Sequence, residues 1–259
     1  MTALLSLLSG STKFVTLILI IFLSLISLLV LQASASVEIF GPDEKPYNLT
    51  YADHAKNYWR WLLPIPAGTE PVGAENPVGD PTGKICAKGQ SNSSSPVFYL
   101  AHNNGGETTE RKCDVPAGKG LFIPVMEVEV SDKELPGPVS DLAATAKNDQ
   151  DRVNLPTSSL YLKINDREYP MEVLKQYRIN PTDAFEIVLP NNLTNDYKGL
   201  YGITSGGPTQ VVADGYYILT KPLTKGTYSI HFLSTLGCDD RDEQCLPLVQ
   251  DIKYTITAK

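Results

Sequence analysis

Apolar and polar residues alternate in short runs along the second half of the chain. The run 227–232 reads Thr-Tyr-Ser-Ile-His-Phe, and the run 251–256 repeats the alternation. A period of two is typical of β-strands with one buried face. Similar runs at 160–164 and 185–189 are separated by Gly and Pro. Together they predict a mainly β fold, which we expect to be an antiparallel β-sandwich of jelly-roll or Ig-like type.

Two segments have helical character instead. Thr50 can cap a helix over 51–63, in which apolar residues recur at helical spacing until Pro64. Ser140 can cap a second helix over 141–153. The sequence therefore predicts one N-terminal helix and one short helix inserted among the strands.

Two strand predictions carry local detail. Pro124 lies within the apolar run 120–130, and a proline at this position indicates an edge strand or a bulge. The runs 211–213 and 216–219 flank Asp214-Gly215, which predicts two strands around a tight turn.

The N-terminal segment predicts delivery across a membrane. Residues 14–31 form an uncharged, largely apolar run, and the small residues Ala33-Ser34-Ala35 follow it. We expect residues 1–35 to be a cleaved signal peptide or, alternatively, a retained membrane anchor, since a span needs about 17–25 residues. Residues 36–259 would then form a single extracytoplasmic domain, secreted or held at the cell surface.

Composition limits the possible partners. The 259 residues are 42% hydrophobic and carry a formal net charge of −7. This acidity argues against binding to nucleic acid, whose phosphates require a basic surface. We expect a cell-envelope glycan or protein as partner, and membrane contact only through the N-terminal segment.

Four cysteines lie beyond the apolar segment, and they allow three pairings. Proximity in sequence favours Cys86 with Cys113 and Cys238 with Cys245, as an oxidising compartment permits. The alternative is a zinc site, although the CxxC pairs typical of zinc ligands are absent from the sequence. Export also makes the sequons at Asn48, Asn92 and Asn192 candidate glycosylation sites.

Two groups of carboxylates are candidate sites. Glu127 and Glu129 alternate on a predicted strand, so they face the same side. Such a pair can supply the acid and the base of glycoside hydrolysis, but a solvent-facing acidic stripe is commoner. Asp239, Asp240 and Glu243 crowd the loop between two cysteines, and they could hold Ca²⁺. We expect no other cofactor.

Aromatic and imidazole side chains offer weaker signals. Tyr58, Trp59 and Trp61 could form a platform for a sugar, although aromatics of an amphipathic helix more often belong to the core. The histidines, which could share a metal, lack HxH or HExxH spacing and are expected to be scattered. Because GxSxG and SxxK motifs are also missing, no catalytic residue is assigned.

Several stretches resemble a group of secreted microbial proteins of unknown function. They include YWRWLLPIP, NPVGDPTGKICAKGQ, VFYLAH and RKCDVPAGKGLFIPV. In that group a turn such as Asp80-Pro81-Thr82-Gly83 precedes the first cysteine, and one such as residues 115–119 follows the second. The resemblance implies an exported, sandwich-like domain with a Cys86–Cys113 disulfide, and it implies no activity.

These observations favour a cell-surface binding or structural module. The competing hypothesis is an extracellular glycan hydrolase that uses paired carboxylates such as Glu127 and Glu129.

Overall fold

The computed structural model describes residues 37–66, 75–90, 95–106, 108–191, 203, 205–239 and 244–259. Contacts within the chain divide it into the units Met1–Ser34 and Ala35–Lys259, and all described residues belong to the second unit.

Strands outnumber helices in the described part of the chain. The strands are β1 (Val97–Tyr99), β2 (Thr109–Val115), β3 (Gly120–Ser131), β4 (Ser159–Ile164), β5 (Arg167–Tyr169), β6 (Arg178–Ile179), β7 (Phe185–Leu189), β8 (Gly207–Leu219), β9 (Gly226–Leu236) and β10 (Leu248–Ala258). The α-helices are α1 (Tyr51–Leu62), α2 (Val139–Asp151) and α3 (Met171–Leu174), and short 3-10 helices cover Pro46–Asn48, Arg152–Asn154 and Lys175–Tyr177.

The strands form two mixed sheets. The first has the order β1-β3-β8-β6, with β7 also paired to β8, and the second has the order β2-β10-β9-β4-β5. The mainly β prediction is confirmed, but the expectation of purely antiparallel sheets is wrong, because β1 pairs with β3 and β2 with β10 in parallel. The chain passes from β1 through β2, in the other sheet, before it returns as β3. Local alternation carries no information about such a crossover.

The turn expected at Asp214-Gly215 is absent, because β8 runs unbroken through both residues. Gly215 is opposite Glu127 of β3, and a Cβ at this glycine would lie 2.7 Å from the Cα of Glu127. The glycine therefore permits the close approach of two strands. The bulge expected at Pro124 is confirmed by a shift in the β3–β8 register between Pro124 and Met126.

Both predicted helices are present, but the second begins at Val139 after Pro138, so the expectation that Ser140 caps it is wrong. Thr50 begins α1 with a capping box, in which its hydroxyl accepts from Asp53 N and the Asp53 carboxylate accepts from Thr50 N. The helix buries Tyr58 against Phe122 of β3, whose ring stacks on Tyr217 of β8 with centroids 5.1 Å apart. These rings belong to the main core.

The second helix, α2, packs on the first sheet through a separate small cluster. Leu142 and Ala146 of α2 are fully buried with Val130 of β3 and Val212 of β8. Side chains one residue out of phase with Val130 point to the opposite face of the sheet, which carries the main core.

Both expected disulfides are confirmed. Cys86–Cys113 has Cα atoms 6.0 Å apart and Cys238–Cys245 has Cα atoms 5.7 Å apart. All four sulfurs are therefore used, which removes the zinc alternative. The disulfides suggest an extracellular location. Within the described ranges, none of the helices combines the length and the apolar character that crossing a membrane requires, and residues 14–31 lie outside those ranges.

Candidate functional site

A cavity of about 470 Å³ lies beside β3, and we call it the acidic cavity. β1 pairs with β3 only as far as Phe122, and no other described strand continues that edge. The cavity occupies the space beyond, where α2, the segment 102–104 and β10 close around the unpaired stretch of β3. Its lining includes one indole, one imidazole and four carboxyl groups, from Trp59, His102, Glu127, Glu129, Glu134 and Asp149.

Glu127 and Glu129 are buried, so a solvent-facing acidic stripe is the wrong description of them. They are only 4% and 6% exposed. The alternation of β3 directs both side chains to the face that carries the main core, while Val128 and Val130 face α2. A charged residue is seldom buried without a partner. Both glutamates are nevertheless buried, and both border the acidic cavity.

Glu127 lies against His102. Its Oε1 atom is 2.8 Å from His102 Nδ1, and the same nitrogen is 2.8 Å from the hydroxyl of the fully buried Tyr58. Glu127 Oε1 and the Tyr58 hydroxyl therefore compete for one nitrogen, and Glu127 Oε2 has no hydrogen-bond partner among the described residues. The buried carboxyl of Glu127 is thus only partly satisfied by the described part of the protein.

Arg111 fixes the segment that carries His102. Its buried guanidinium donates to the carbonyl oxygens of Ala101 and His102 at 2.9 and 3.0 Å, and to the Tyr254 hydroxyl at 2.7 Å. The Tyr254 hydroxyl in turn donates to the Ala101 carbonyl. These charge-assisted bonds make the wall at His102 rigid.

Glu129 and Glu134 form a coupled carboxyl pair. Burial and the neighbouring charge of Glu134 raise the pKa of Glu129 well above its ordinary value of 4.5. Burial also raises the pKa of Glu134, although two hydrogen bonds from Ser131 to its Oε2 atom, at 2.6 and 2.7 Å, oppose the shift. Two carboxyl groups in contact favour sharing a proton over carrying two negative charges. The hydrogen bonds from Ser131 favour the charged form of Glu134, so the rise in pKa is opposed at Glu134 and unopposed at Glu129.

The electrostatic balance of the acidic cavity is one-sided. Asp149 of α2 is a further carboxyl group, and burial raises its pKa against the charge of Arg152. Of the described residues that line the cavity, only His102 can carry a positive charge. Electrostatic interactions are stronger in such a partly desolvated space than in water. The lining therefore favours a positively charged or hydrogen-bond-donating guest.

Of the other candidate residues in the described part of the chain, only Trp59 and His102 line this cavity. Tyr58 and Trp59 are buried as core residues are, and Trp61 lines a different cavity from Trp59. The three histidines have separate partners, since His54 meets the Pro46 carbonyl and His231 meets Asp251. A shared metal site among the histidines is therefore wrong.

The calcium and glycosylation candidates lie largely outside the described residues. Asp239 is described, whereas Asp240, Glu243, Asn92 and Asn192 are not. Asn48 is exposed at the end of a 3-10 helix. Among the described residues, no group of three or more His, Cys, Asp or Glu side chains is arranged to hold a metal ion.

Sequence reasoning missed Glu134 and Asp149. Neither follows a motif, because Glu134 reaches the cavity from a turn after β3 and Asp149 from the last turn of α2. One signal was present in β3 itself. Its first half, 120–126, is apolar on both faces, which is typical of a strand covered on both sides. That pattern indicated that the glutamates further along the strand were covered too.

Comparisons with known proteins provide no assignment. No protein-family model matches the chain, and no curated protein matches it. One solved structure, described as the solution structure of amebosin, aligns with 61% of this chain and 96% of its own at 10% identity. Its TM-score of 0.18 supports no inference about fold or function.

Proposed function

We propose that the chain is an exported cell-surface module that binds a small organic cation in the acidic cavity. The single observation that carries this proposal is the pair Glu127 and Glu129. Both carboxyl groups are buried beside a cavity of about 470 Å³. Among the described residues, Glu127 Oε2 has no hydrogen-bond partner, and Glu129 faces the carboxyl of Glu134, which competes with it for a proton. Buried polar groups are normally satisfied, so a ligand that donates hydrogen bonds is the partner that would complete them.

The chemistry of the lining narrows the ligand to amines. A carboxylate only accepts hydrogen bonds, and an ammonium group only donates them. The apolar side chains of Val128, Leu135 and Leu248 supply surface for a carbon skeleton between the charged ends. The cavity volume lies within the roughly 300–1,000 Å³ typical of small-molecule sites. A linear amine or diamine meets all three conditions.

Export and the finer architecture belong to the same proposal. The disulfides and the apolar run 14–31 support a protein that is secreted or tethered at the cell surface. A sandwich of jelly-roll or Ig-like type is supported by two sheets that share one core cluster. Membership of the secreted microbial group remains part of the proposal.

Calorimetric titration of the full chain with putrescine tests the binding function, and 1,4-butanediol is the uncharged control of equal length. We expect saturable heat with the diamine alone. Glu127→Gln should weaken binding by about tenfold or more, because a hydrogen bond to a charged group contributes about 1.5–3 kcal/mol. Glu129→Gln should weaken it less, because the raised pKa of Glu129 favours its neutral form. Glu110→Gln is the matched control, since Glu110 lies on the surface with 74% of its side chain exposed.

The proposal fails if putrescine and other amines give no saturable heat with a chain that melts cooperatively. It also fails if Glu110→Gln weakens binding as much as Glu127→Gln does. Thermal melting of each variant separates loss of binding from loss of folding.

Glycan hydrolysis is the second candidate function, and the raised pKa of Glu129 is the observation that favours it. Glycoside hydrolysis uses a protonated carboxyl as acid and a second carboxyl as base or nucleophile. Glu129 suits the acid role, and Glu127 would take the other. A screen of oligosaccharide substrates tests this function. Turnover that Glu127→Gln and Glu129→Gln abolish and Glu110→Gln preserves would support it, whereas no turnover on any substrate would reject it.

A further inference from the structure

A second cavity, of about 410 Å³, lies on another side of α1, and we call it the aromatic cavity. Tyr47, Trp61 and Tyr99 supply aromatic rings to its lining, and His54, Asn57 and Arg60 supply polar groups. We propose that the aromatic cavity is a separate binding site for an acidic saccharide. The inference is independent of amine binding in the acidic cavity, because the two linings share no described residue.

His54 provides the first observation. It is only 1% exposed, and its Nε2 atom lies 3.1 Å from the Pro46 carbonyl oxygen. A carbonyl oxygen can only accept, so Nε2 carries the proton and donates. Burial lowers the pKa of His54, which keeps the ring neutral and leaves Nδ1 as an acceptor. No described residue donates to Nδ1, so a hydroxyl of a ligand is the donor that would complete it.

Tyr47 provides the second observation, which concerns the backbone. Tyr47 and Asn48 have φ angles of 56° and 63°, in the left-handed region that side chains other than glycine seldom adopt. Such strained residues concentrate at ligand-binding sites, where the surrounding structure holds them. The Tyr47 ring packs against Phe40 and His54, and its buried hydroxyl has no partner among the described residues.

The aromatic wall suits a sugar ring. Trp61 and Tyr99 lie nearly parallel, with centroids 5.6 Å apart and an interplanar angle of 20°. The Trp61 indole donates to the Lys88 carbonyl at 2.8 Å, which fixes its orientation. Each ring covers one face of the other, so a pyranose would place its apolar C–H face against the parts of the rings that line the cavity, and its hydroxyl groups against the polar atoms there. A small apolar ligand would leave Nδ1 of His54 unsatisfied.

Arg60 selects an acidic sugar over a neutral one. It is the only permanently charged side chain among the described residues of the lining. The guanidinium lies 5.2 Å from the centre of the Phe185 ring, and among the described residues its one hydrogen bond is a long contact, at 3.4 Å, with the Asn57 amide oxygen. Most of its donors remain available, and a guanidinium matches a carboxylate with two parallel hydrogen bonds. The carboxylate of a uronic acid therefore fits the rim.

The two tryptophans of the chain make the sites separately observable, because Trp59 lines the acidic cavity and Trp61 the aromatic one. Trp59→Phe leaves Trp61 as the only indole, and Trp61→Phe leaves Trp59. The experiment titrates the full chain of each variant with a galacturonate trimer and with a neutral galactose trimer. We expect saturable change in Trp61 emission with the galacturonate trimer, and affinity at least several-fold weaker for the neutral trimer.

Two substitutions in the Trp59→Phe background test the named contacts. Arg60→Gln should remove the preference for the acidic trimer, and its matched control is Arg167→Gln, an exposed arginine that also lies over an aromatic ring. His54→Gln keeps a donor for Pro46 but removes the Nδ1 acceptor, so it should weaken both trimers. Asn57→Ala, a half-exposed position on the same helix face, gives a second reading if His54→Gln does not fold.

An unchanged Trp61 emission at every trimer concentration overturns the proposal, as does equal affinity for the acidic and neutral trimers. Equal effects of Arg60→Gln and Arg167→Gln also overturn it. Failure of putrescine binding would be detected by calorimetry and by Trp59 emission. It is therefore distinguishable from failure of trimer binding, which is detected by Trp61 emission.

Discussion

The two cavities take their opposite chemistry from neighbouring positions of a single helix. Trp59 and Trp61 of α1 are two residues apart, and at 3.6 residues per turn their side chains point in nearly opposite directions. The helix gives each cavity one indole, and the surroundings add to the difference. β3 and α2 add carboxyl groups to the acidic cavity. The segment before α1 and strand β1 add aromatic rings to the aromatic cavity, and Arg60 lies at the rim of that cavity. The negative charge of the acidic cavity therefore comes from what packs against the helix, whereas the positive charge of the aromatic cavity comes from the helix itself.

The largest expected effect is the loss of stability when a disulfide is removed, and the two disulfides should differ in it. Cys86–Cys113 spans 27 residues and adjoins Lys88, whose carbonyl orients Trp61, whereas Cys238–Cys245 spans only seven residues. Chain-entropy arguments give about 3–4 kcal/mol for the longer loop and about 2–3 kcal/mol for the shorter one. Replacing both cysteines of the longer loop by serine should therefore lower the free energy of unfolding in urea more than replacing the other pair.

The same variants sharpen the comparison by fluorescence. Loss of Cys86–Cys113 should change the emission of Trp61 in the Trp59→Phe chain and leave that of Trp59 in the Trp61→Phe chain. An equal change in both would show that the disulfide supports the whole fold without favouring one cavity.

A close approach of strands supports the acidic cavity alone. Gly215→Ala places a Cβ 2.7 Å from the Cα of Glu127, a backbone atom that cannot move away cheaply. We expect a loss of about 1–3 kcal/mol in unfolding free energy, which is typical of overpacking, together with weaker putrescine binding. Gly137→Ala is the control, because its Cβ would make only an ordinary 3.5 Å contact. Unaltered putrescine affinity in a destabilised Gly215→Ala chain would contradict the link between the strands and the cavity.

The Glu129–Glu134 pair should make stability depend on pH. The pKa of Glu129 is raised on folding, so above pH 4.5 the folded state retains a proton that the unfolded state has released. The contribution of this group is therefore fully present below pH 4.5 and is lost as the pH rises toward the folded pKa. Asp149 and Glu134, with raised pKa values, act in the same direction.

Glu129→Gln should flatten this dependence. Between pH 5 and 8 the fall in Tm should be smaller than in the unmodified chain by about 2–4 °C, which corresponds to roughly 1 kcal/mol for a domain of this size. Glu110→Gln, on the surface, should leave the slope as it is. Identical slopes in all three proteins would mean that the carboxyl pair does not hold the proton assigned to it.

The smallest expected effect concerns Arg60. Because its side chain is exposed, Arg60→Gln should change the free energy of unfolding by no more than about 0.5 kcal/mol. Its affinity for putrescine should also stay within about twofold, since surface charges are largely screened beyond a Debye length of about 10 Å. A large change in either quantity, measured by urea unfolding and calorimetry, would show that the two cavities are coupled.

The sequence predicts most of the secondary-structure elements but not how the strands are arranged in the sheets. The alternation in β9 and β10 and the capping box of α1 are local properties, so the sequence predicted these elements correctly. Strand direction and the continuity of β8 depend on distant partners, and the sequence predicted both wrongly. Glu127 and Glu129 were correctly placed on one side of a strand.

Their burial could not be predicted in the same way. It depends on how α2, the turn at Glu134 and the segment at His102 close over the edge of β3. Those contacts join residues far apart in the chain, and the local pattern of β3 indicates that the strand is covered without identifying the elements that cover it. The partner of a buried charge was therefore harder to foresee than its position.

The shortness of β1 has an architectural consequence. Its three residues pair with β3 only as far as Phe122. Beyond that point the edge of β3 borders the acidic cavity and has no neighbouring strand among the described residues. If β1 were two or three residues longer, its backbone would occupy the acidic cavity. In chains of this design, the length of one outer strand would act as the adjustable dimension that decides how large a guest can enter.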